Sequence, residues 1–119
     1  MATHNDLGRL GESLAVGYLL ENNYVILERN WRFQKAEIDI IAKKEAQIII
    51  VEVKTRNSDF FGDPQSFVSP EKIKLLLKAA NQYLVSNNIP LEVRFDILAI
   101  IKNKSTQEIT HFKDAFYHF

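Results

Sequence analysis

Between Asp6 and Asn22 the apolar positions Leu7, Leu10, Leu14 and Tyr18 recur every three or four residues. That is a helical period, and Asp6 is placed to cap it. Ala15, Val16 and Leu19 carry apolar surface round a second side, while Gly8, Gly11 and Gly17 keep the helix thin enough to approach a sheet. Glu12 projects between Val16 and Leu19, an acid at the edge of a buried stripe. The period then changes. Tyr24 to Phe33, Ala36 to Ala42 and Gln47 to Thr55 are rich in aromatic and β-branched residues and read as three strands, joined by turns at Gln34-Lys35 and Lys43 to Ala46. The unbroken Ile-Ile-Ile-Val run from Ile48 to Val51 predicts a central strand covered on both faces.

Asn57 to Pro64 holds Asp, Gly and Pro and reads as a loop. Ser69-Pro70 starts a second helix, with Ser69 as cap and Pro70 in the first turn. Its expected buried face is Ile73, Leu76, Leu77, Ala80, Tyr83 and Leu84, running to about Asn87. Glu92 to Ile101 predicts a fourth strand, and Ile109 to Phe116 an edge strand. The order is helix, three strands, helix, one or two strands: a single mixed α/β domain over 1–119.

At 119 residues and 46% hydrophobic content, such a domain can build its core without covalent staples. There is no cysteine, so disulfides and thiolate metal ligands are excluded. Met1 to Asp6 lacks the profile of a secretory signal, and no apolar run approaches the roughly 18 residues that cross a membrane. The expected setting is cytoplasmic, with no membrane partner. Lysine plus arginine equals aspartate plus glutamate, so formal charge is zero. That argues against tight, sequence-blind nucleic-acid binding, but not against an enzyme whose acids gather at a metal while its bases line a groove.

Chemistry concentrates between Glu37 and Lys54. Glu37, Asp39, Glu52 and Lys54 interrupt two strands otherwise made of isoleucine and valine. Residues two apart on a strand share a face, so Glu37 with Asp39, and Glu52 with Lys54, are expected to meet across the hairpin. A buried carboxylate is costly unless paired. Carboxylates with a backbone carbonyl and waters suit Mg²⁺ or Mn²⁺, and a nearby lysine can orient a water or stabilise a phosphate. The alternative is a structural ion pair of Asp39 and Glu52 with Lys54 and Arg56.

Asp39 with Glu52-Val53-Lys54 resembles the Asp…Glu-x-Lys signature of the PD-(D/E)XK nuclease superfamily. More narrowly, the chain resembles the YraN-like family of small bacterial proteins, which is similar to archaeal Holliday-junction resolvases. Matching segments run almost end to end: Gly11-Glu12, Asn30-Trp31-Arg32, Glu37 to Ile41, Val51 to Arg56, Phe61 to Pro64, Lys72, Ala80, Tyr83-Leu84, Arg94-Phe95-Asp96 and Ala115-Phe116. Ala36 stands where the family commonly has glycine, and Ile38 rather than proline precedes Asp39. The resemblance implies a restriction-endonuclease-like three-layer core around a central mixed sheet. It implies Asp39 and Glu52 as ligands of Mg²⁺ or Mn²⁺, Lys54 serving the water or phosphate, and Glu12 completing the site. The reaction would be in-line hydrolysis of a DNA phosphodiester, with branched or junction DNA a candidate substrate. A resolvase needs two symmetric cuts and so a two-fold dimer.

Other residues carry weaker expectations. Glu37 is a support acid or second-metal ligand, or a partner of Lys35 or Arg56. Thr55 and Arg56 extend the strand beyond Lys54 and could contact a phosphate, with solvated strand-end polarity the competing reading. Lys35, Lys43, Lys44, Arg56 and Lys72 are the candidate DNA-backbone contacts, with plain exposure the competing reading for Lys72. Gln82 reads as a surface residue and Asp96 as a structural partner of Arg94. Trp31 and Phe33 suit the core better than base stacking, and Phe60-Phe61-Gly62 could form a partner surface or flap. His4, His111 and His118 form no ligand spacing. Against the nuclease stands a nucleic-acid-binding or assembly module that keeps the fold without turnover; the neutral charge favours it, and the retained Glu12, Asp39, Glu52 and Lys54 oppose it.

Overall fold

The computed structural model describes residues 4–57 and 68–116. Most of the loop expected at 57–64, with Phe60-Phe61-Gly62, lies outside the described residues, as does His118. Helix α1 (His4–Glu21) leads into β1 (Val25–Phe33), β2 (Ala36–Lys44) and β3 (Gln47–Arg56). Helix α2 (Pro70–Ser86) then precedes β4 (Glu92–Lys102) and β5 (Gln107–Phe112). The five strands form one sheet in the order β1-β2-β3-β4-β5. Neighbours are antiparallel except β3 and β4, which run parallel. A parallel pair needs a crossover rather than a tight turn, and α2 lies within it.

The isoleucine run behaves as a doubly buried strand should. Ile48 and Ile50 pack toward Leu76, Ala79, Ala80 and Tyr83 of α2. Ile49 and Val51 pack the other way, toward Ala15 and Leu19 of α1. Each such side chain removed from water contributes about 1.5–3 kcal/mol, so a strand that buries both faces ties the two helices to one sheet. The result is the mixed α/β arrangement expected, with the sheet between two helices.

Several boundaries move. Helix α1 already includes His4, so Asp6 sits in its first turn, where an acid complements the helix dipole, rather than capping it. Its buried line is Gly11, Ala15 and Leu19, the side that appeared secondary in sequence, while Leu10 is exposed. On α2 the Ser69 hydroxyl accepts from the Lys72 N–H as a cap, but Ala79 takes the core position expected of Leu77, which is exposed. The second, third and fourth strands extend to Lys44, Arg56 and Lys102, and the last ends at Phe112 before a turn. Trp31 meets Tyr83 edge-on at 5.2 Å and stacks on Phe33, so both aromatics serve the core.

One glycine is required by packing. A Cβ at Gly11 would run into the Thr55 side chain, whereas Gly8 and Gly17 face open space. Helix α1 therefore closes on β3 at Gly11. Gly11→Ala should cost about 1–3 kcal/mol through overpacking, read as a lower urea midpoint. An unchanged midpoint would mean helix and strand do not approach this closely.

Candidate metal centre and its cavities

The site forms where β2 stops behaving as a regular strand. The β2–β3 ladder ends at Ile40 opposite Val51, although β3 continues, paired with β4, to Arg56. On the other side the β1–β2 ladder passes from Arg29–Ile40 to Trp31–Ile38 and skips Asn30, which holds a left-handed φ of 51°. The consequence shows in the core: Ile38 packs with the α2 cluster and Ile40 with the α1 cluster. Strict alternation would have put both on one face. Asp39 sits at this change of face, and its Oδ2 accepts a hydrogen bond from the Val53 N–H at 2.8 Å. The side chain bridges strands that have parted.

Asp39 borders two cavities. The first, about 190 Å³, is walled by Leu7, Gly8 and Glu12 of α1 and by Val53, Lys54, Thr55 and Arg56 at the end of β3. The second, about 280 Å³, is walled by Lys35, Ala36 and Glu37 and by Lys72, Leu75 and Leu76 of α2. Asp39 is therefore reachable from both sides of the sheet.

Glu52 is buried, 5% exposed, and its Oε1 accepts from the Lys72 ammonium at 2.8 Å. Its Oε2 is buried with no hydrogen-bond partner among the described residues. Burial and then the negative charge of Glu52 push the Asp39 carboxyl from 3.8 up to about 8; the Val53 N–H and Lys72 oppose the rise. Poor hydration and the neighbouring negative charge both favour the protonated form of Asp39. The counter-ion of Glu52 is thus Lys72, not Lys54 or Arg56. Glu12 and Lys54 make no side-chain hydrogen bond or ion pair with another described residue and remain available to a ligand in the first cavity.

A divalent cation fits this pair on structural grounds. It would take up the stranded Oε2 and take the place of the proton that Asp39 favours, and carboxylate oxygens are the donors that Mg²⁺ and Mn²⁺ prefer. Asp39 and Glu52 would be the protein ligands, with Glu12 across the cavity. No three acidic or histidine side chains among the described residues converge as a ready-made cage, so waters would complete the shell.

The remaining expected residues divide. Lys35, Arg56, Thr55 and Lys72 line one or other cavity. Lys43 and Lys44 lie at the far end of β2, roughly 13–17 Å along the strand from Asp39 at about 3.3 Å per residue. Lys44 is engaged there, donating to the Asn22 carbonyl at 2.6 Å beneath the Tyr24 ring. Glu37 pairs across the strands with Arg32 at 2.7 Å, rather than with Lys35 or Arg56. Gln82 donates to the Ser86 hydroxyl on the surface of α2.

Asp96, the other acid in an apolar strand, lies in a different environment. It is fully buried and takes Arg94 through both carboxylate oxygens at 2.9 and 2.8 Å, the His111 Nε2 at 2.7 Å and the Asp114 N–H at 3.0 Å. Burial alone would raise its pKa, but the bonds from His111, Arg94 and Asp114 hold it below the usual carboxylate range. His111 in turn meets Tyr18 of α1 at 3.0 Å, and Arg94 meets Tyr24 at 3.0 Å. His111, given no role by sequence, therefore ties β5 to β4 and α1. The spacing of histidines could not reveal this; the pairing of β4 with β5 does.

Among the described residues, no helix is long and apolar enough to cross a membrane. A UPF0102 protein of Flavobacterium psychrophilum is 60% identical over the full length of both chains, and one of Christiangramia forsetii 55% identical, again over the full length of both. A more distant one from Bacteroides thetaiotaomicron is 46% identical across 98% of this chain and 97% of its own. The profile of Uncharacterised protein family UPF0102 matches residues 11–100, from the glycine packed on Thr55 through both acids and Lys54 into the Asp96 strand. The chain belongs to this family.

Proposed function

We propose that the protein is a metal-dependent endonuclease of the PD-(D/E)XK kind, hydrolysing DNA phosphodiester bonds, with branched DNA the candidate substrate. The observation that carries the reading is the Asp39–Glu52 pair, part-buried and buried respectively, with one Glu52 oxygen unpartnered among the described residues and Lys54 bordering the cavity that Asp39 lines. A structural carboxylate is surrounded by donors, as Asp96 is; this pair is not. The element order of helix, three strands, helix and strand supports the superfamily reading.

Bound Mg²⁺ or Mn²⁺ would supply Lewis acidity to the phosphate and a more acidic water. The residues of the chain supply position and charge. Asp39 and Glu52 would hold the ion, and Glu12 of α1, which lines the first cavity with Asp39, would be the nearest further acid. Lys54 orients the attacking water and balances charge developing on the phosphate. Lys35, Arg56 and Lys72 hold neighbouring phosphates, with Thr55 beside them. A chain without cysteine suits the reducing cytoplasm, where DNA is found.

The alternative, a nucleic-acid-binding module without turnover, draws on the lack of a three-ligand cage and on the neutral net charge. Labelled four-way junction, flap, duplex and single-stranded DNA, incubated with Mg²⁺, Mn²⁺ or EDTA, separate the two. The nuclease cuts at least one substrate only when metal is present; binding without cutting in either metal selects the module. If Lys35, Lys54, Arg56 and Lys72 each neutralise a phosphate, log affinity should fall with log salt at a slope between about −3 and −4. A slope near zero would remove the cavities as the DNA path. Preference for junctions should coincide with a dimer in sedimentation, since two symmetric cuts need two sites.

A further inference from the structure

Lys72 connects the two halves of the site. Its backbone N–H is held by Ser69 at the start of α2, and its ammonium crosses to Glu52 Oε1 at 2.8 Å. Its side chain is 39% exposed against 6% for Glu52, so the acid is fixed and the lysine is the partner with room to leave. It also lines the second cavity with Lys35, where the acid Glu37 is already paired with Arg32. Its other acid, Asp39, is the residue a bound metal would neutralise, which would leave Lys35 and Lys72 to meet an anion there.

Resting on the metal reading above, we propose that Lys72 is the built-in counter-ion of the metal-free centre, displaced from Glu52 when a divalent cation binds and thereby released to hold a substrate phosphate in the second cavity. Two cations on one small carboxylate repel each other strongly in a poorly hydrated site. The ammonium can withdraw into the cavity it already borders, whereas the buried carboxylate cannot move to avoid the ion. Lys72 would therefore stabilise the empty site, oppose loose metal binding, and become an anion contact only once the site is loaded. It acts on the metal through Glu52 and is a positioning residue in that state.

Mn²⁺ titration calorimetry on the wild type, Lys72→Met and Lys78→Met tests this. Lys78 is an exposed lysine of the same helix and controls for net charge. Removing the competing ammonium should tighten Mn²⁺ binding about tenfold in Lys72→Met, with less than a twofold change in Lys78→Met. Equal or weaker binding by Lys72→Met overturns the exchange while leaving the metal reading intact. No Mn²⁺ binding by wild type or variant removes both. Should Lys72→Met not fold, the wild type carries the test: with lysines ¹³C-dimethylated, the Lys72 signal should move toward the free-lysine position on adding Mg²⁺, and a Lys72 signal that stays put while Mg²⁺ binds overturns the exchange.

Discussion

Asparagine in place of Asp39 should abolish divalent-cation binding and lower any cleavage to the level of an EDTA control, yet make the metal-free protein more stable than the wild type at pH 8. The sign follows from the raised carboxyl. Its ordinary pKa is 3.8 and the folded one about 8, so between those values the folded state keeps a proton that the unfolded chain has released. Stability is full below the unfolded value and falls as pH rises toward 8, because holding the group without its proton is unfavourable in the fold. Asparagine cannot ionise and removes that slope. If a divalent cation replaces the proton, wild-type Mn²⁺ affinity should climb by up to about tenfold per pH unit below 8 and level off above it. Urea melts from pH 5 to 9 check the first half, and Mn²⁺ titrations over the same range check the second. Parallel stability profiles for the two proteins, or an affinity indifferent to pH, would show that Asp39 is ionised in the empty site.

Asp96→Ala should do the opposite, leaving any metal binding in the surviving folded fraction unchanged but destabilising the domain severely. It removes the only anion against Arg94 and His111 among the described contacts and strands the Asp114 N–H. Breaking one side of a buried ion network costs about 3–5 kcal/mol. Native domains carry only about 5–15 kcal/mol in total, so the variant should approach unfolding at ambient temperature. A thermal melt should fall by roughly 10–20 °C. A shift of only a few degrees would mean that the network is solvated and replaceable.

These two aspartates mark how far sequence could be read. Each is a single acid in an apolar strand, and neither hydropathy nor spacing alone separates them. Glu52-x-Lys54 marked Asp39 as chemical and Arg94 marked Asp96 as structural; Asp96 is indeed held by Arg94, and Asp39 accepts from the Val53 N–H. The fold was legible because its signals are local: a helical period, three short strands with tight turns, a capped second helix, and an isoleucine run that can only be buried on both faces. Contacts that depend on tertiary placement were not. Ser69 places Lys72 in the first turn of α2, but only the packing of that helix on β2 directs its ammonium to Glu52. The change of face at Asp39 was invisible because alternation had to be assumed. The pairing of Glu37 with Arg32 needed the β1–β2 register, and the line buried by α1 needed the position of Thr55.

The central claim is that Asp39 and Glu52 seat a metal for which Lys54 performs chemistry. It is tested most directly by cleavage of a labelled four-way junction in saturating Mn²⁺, comparing wild type with Lys54→Ala after confirming that both fold and bind Mn²⁺ within a few-fold of each other. The account predicts metal-dependent cutting by the wild type and a loss of about 10²–10⁴-fold in the variant, the range expected when a positioned group at the reacting atoms is removed. Equal cutting by both, or none by a wild type that has bound its metal and its junction, would contradict it.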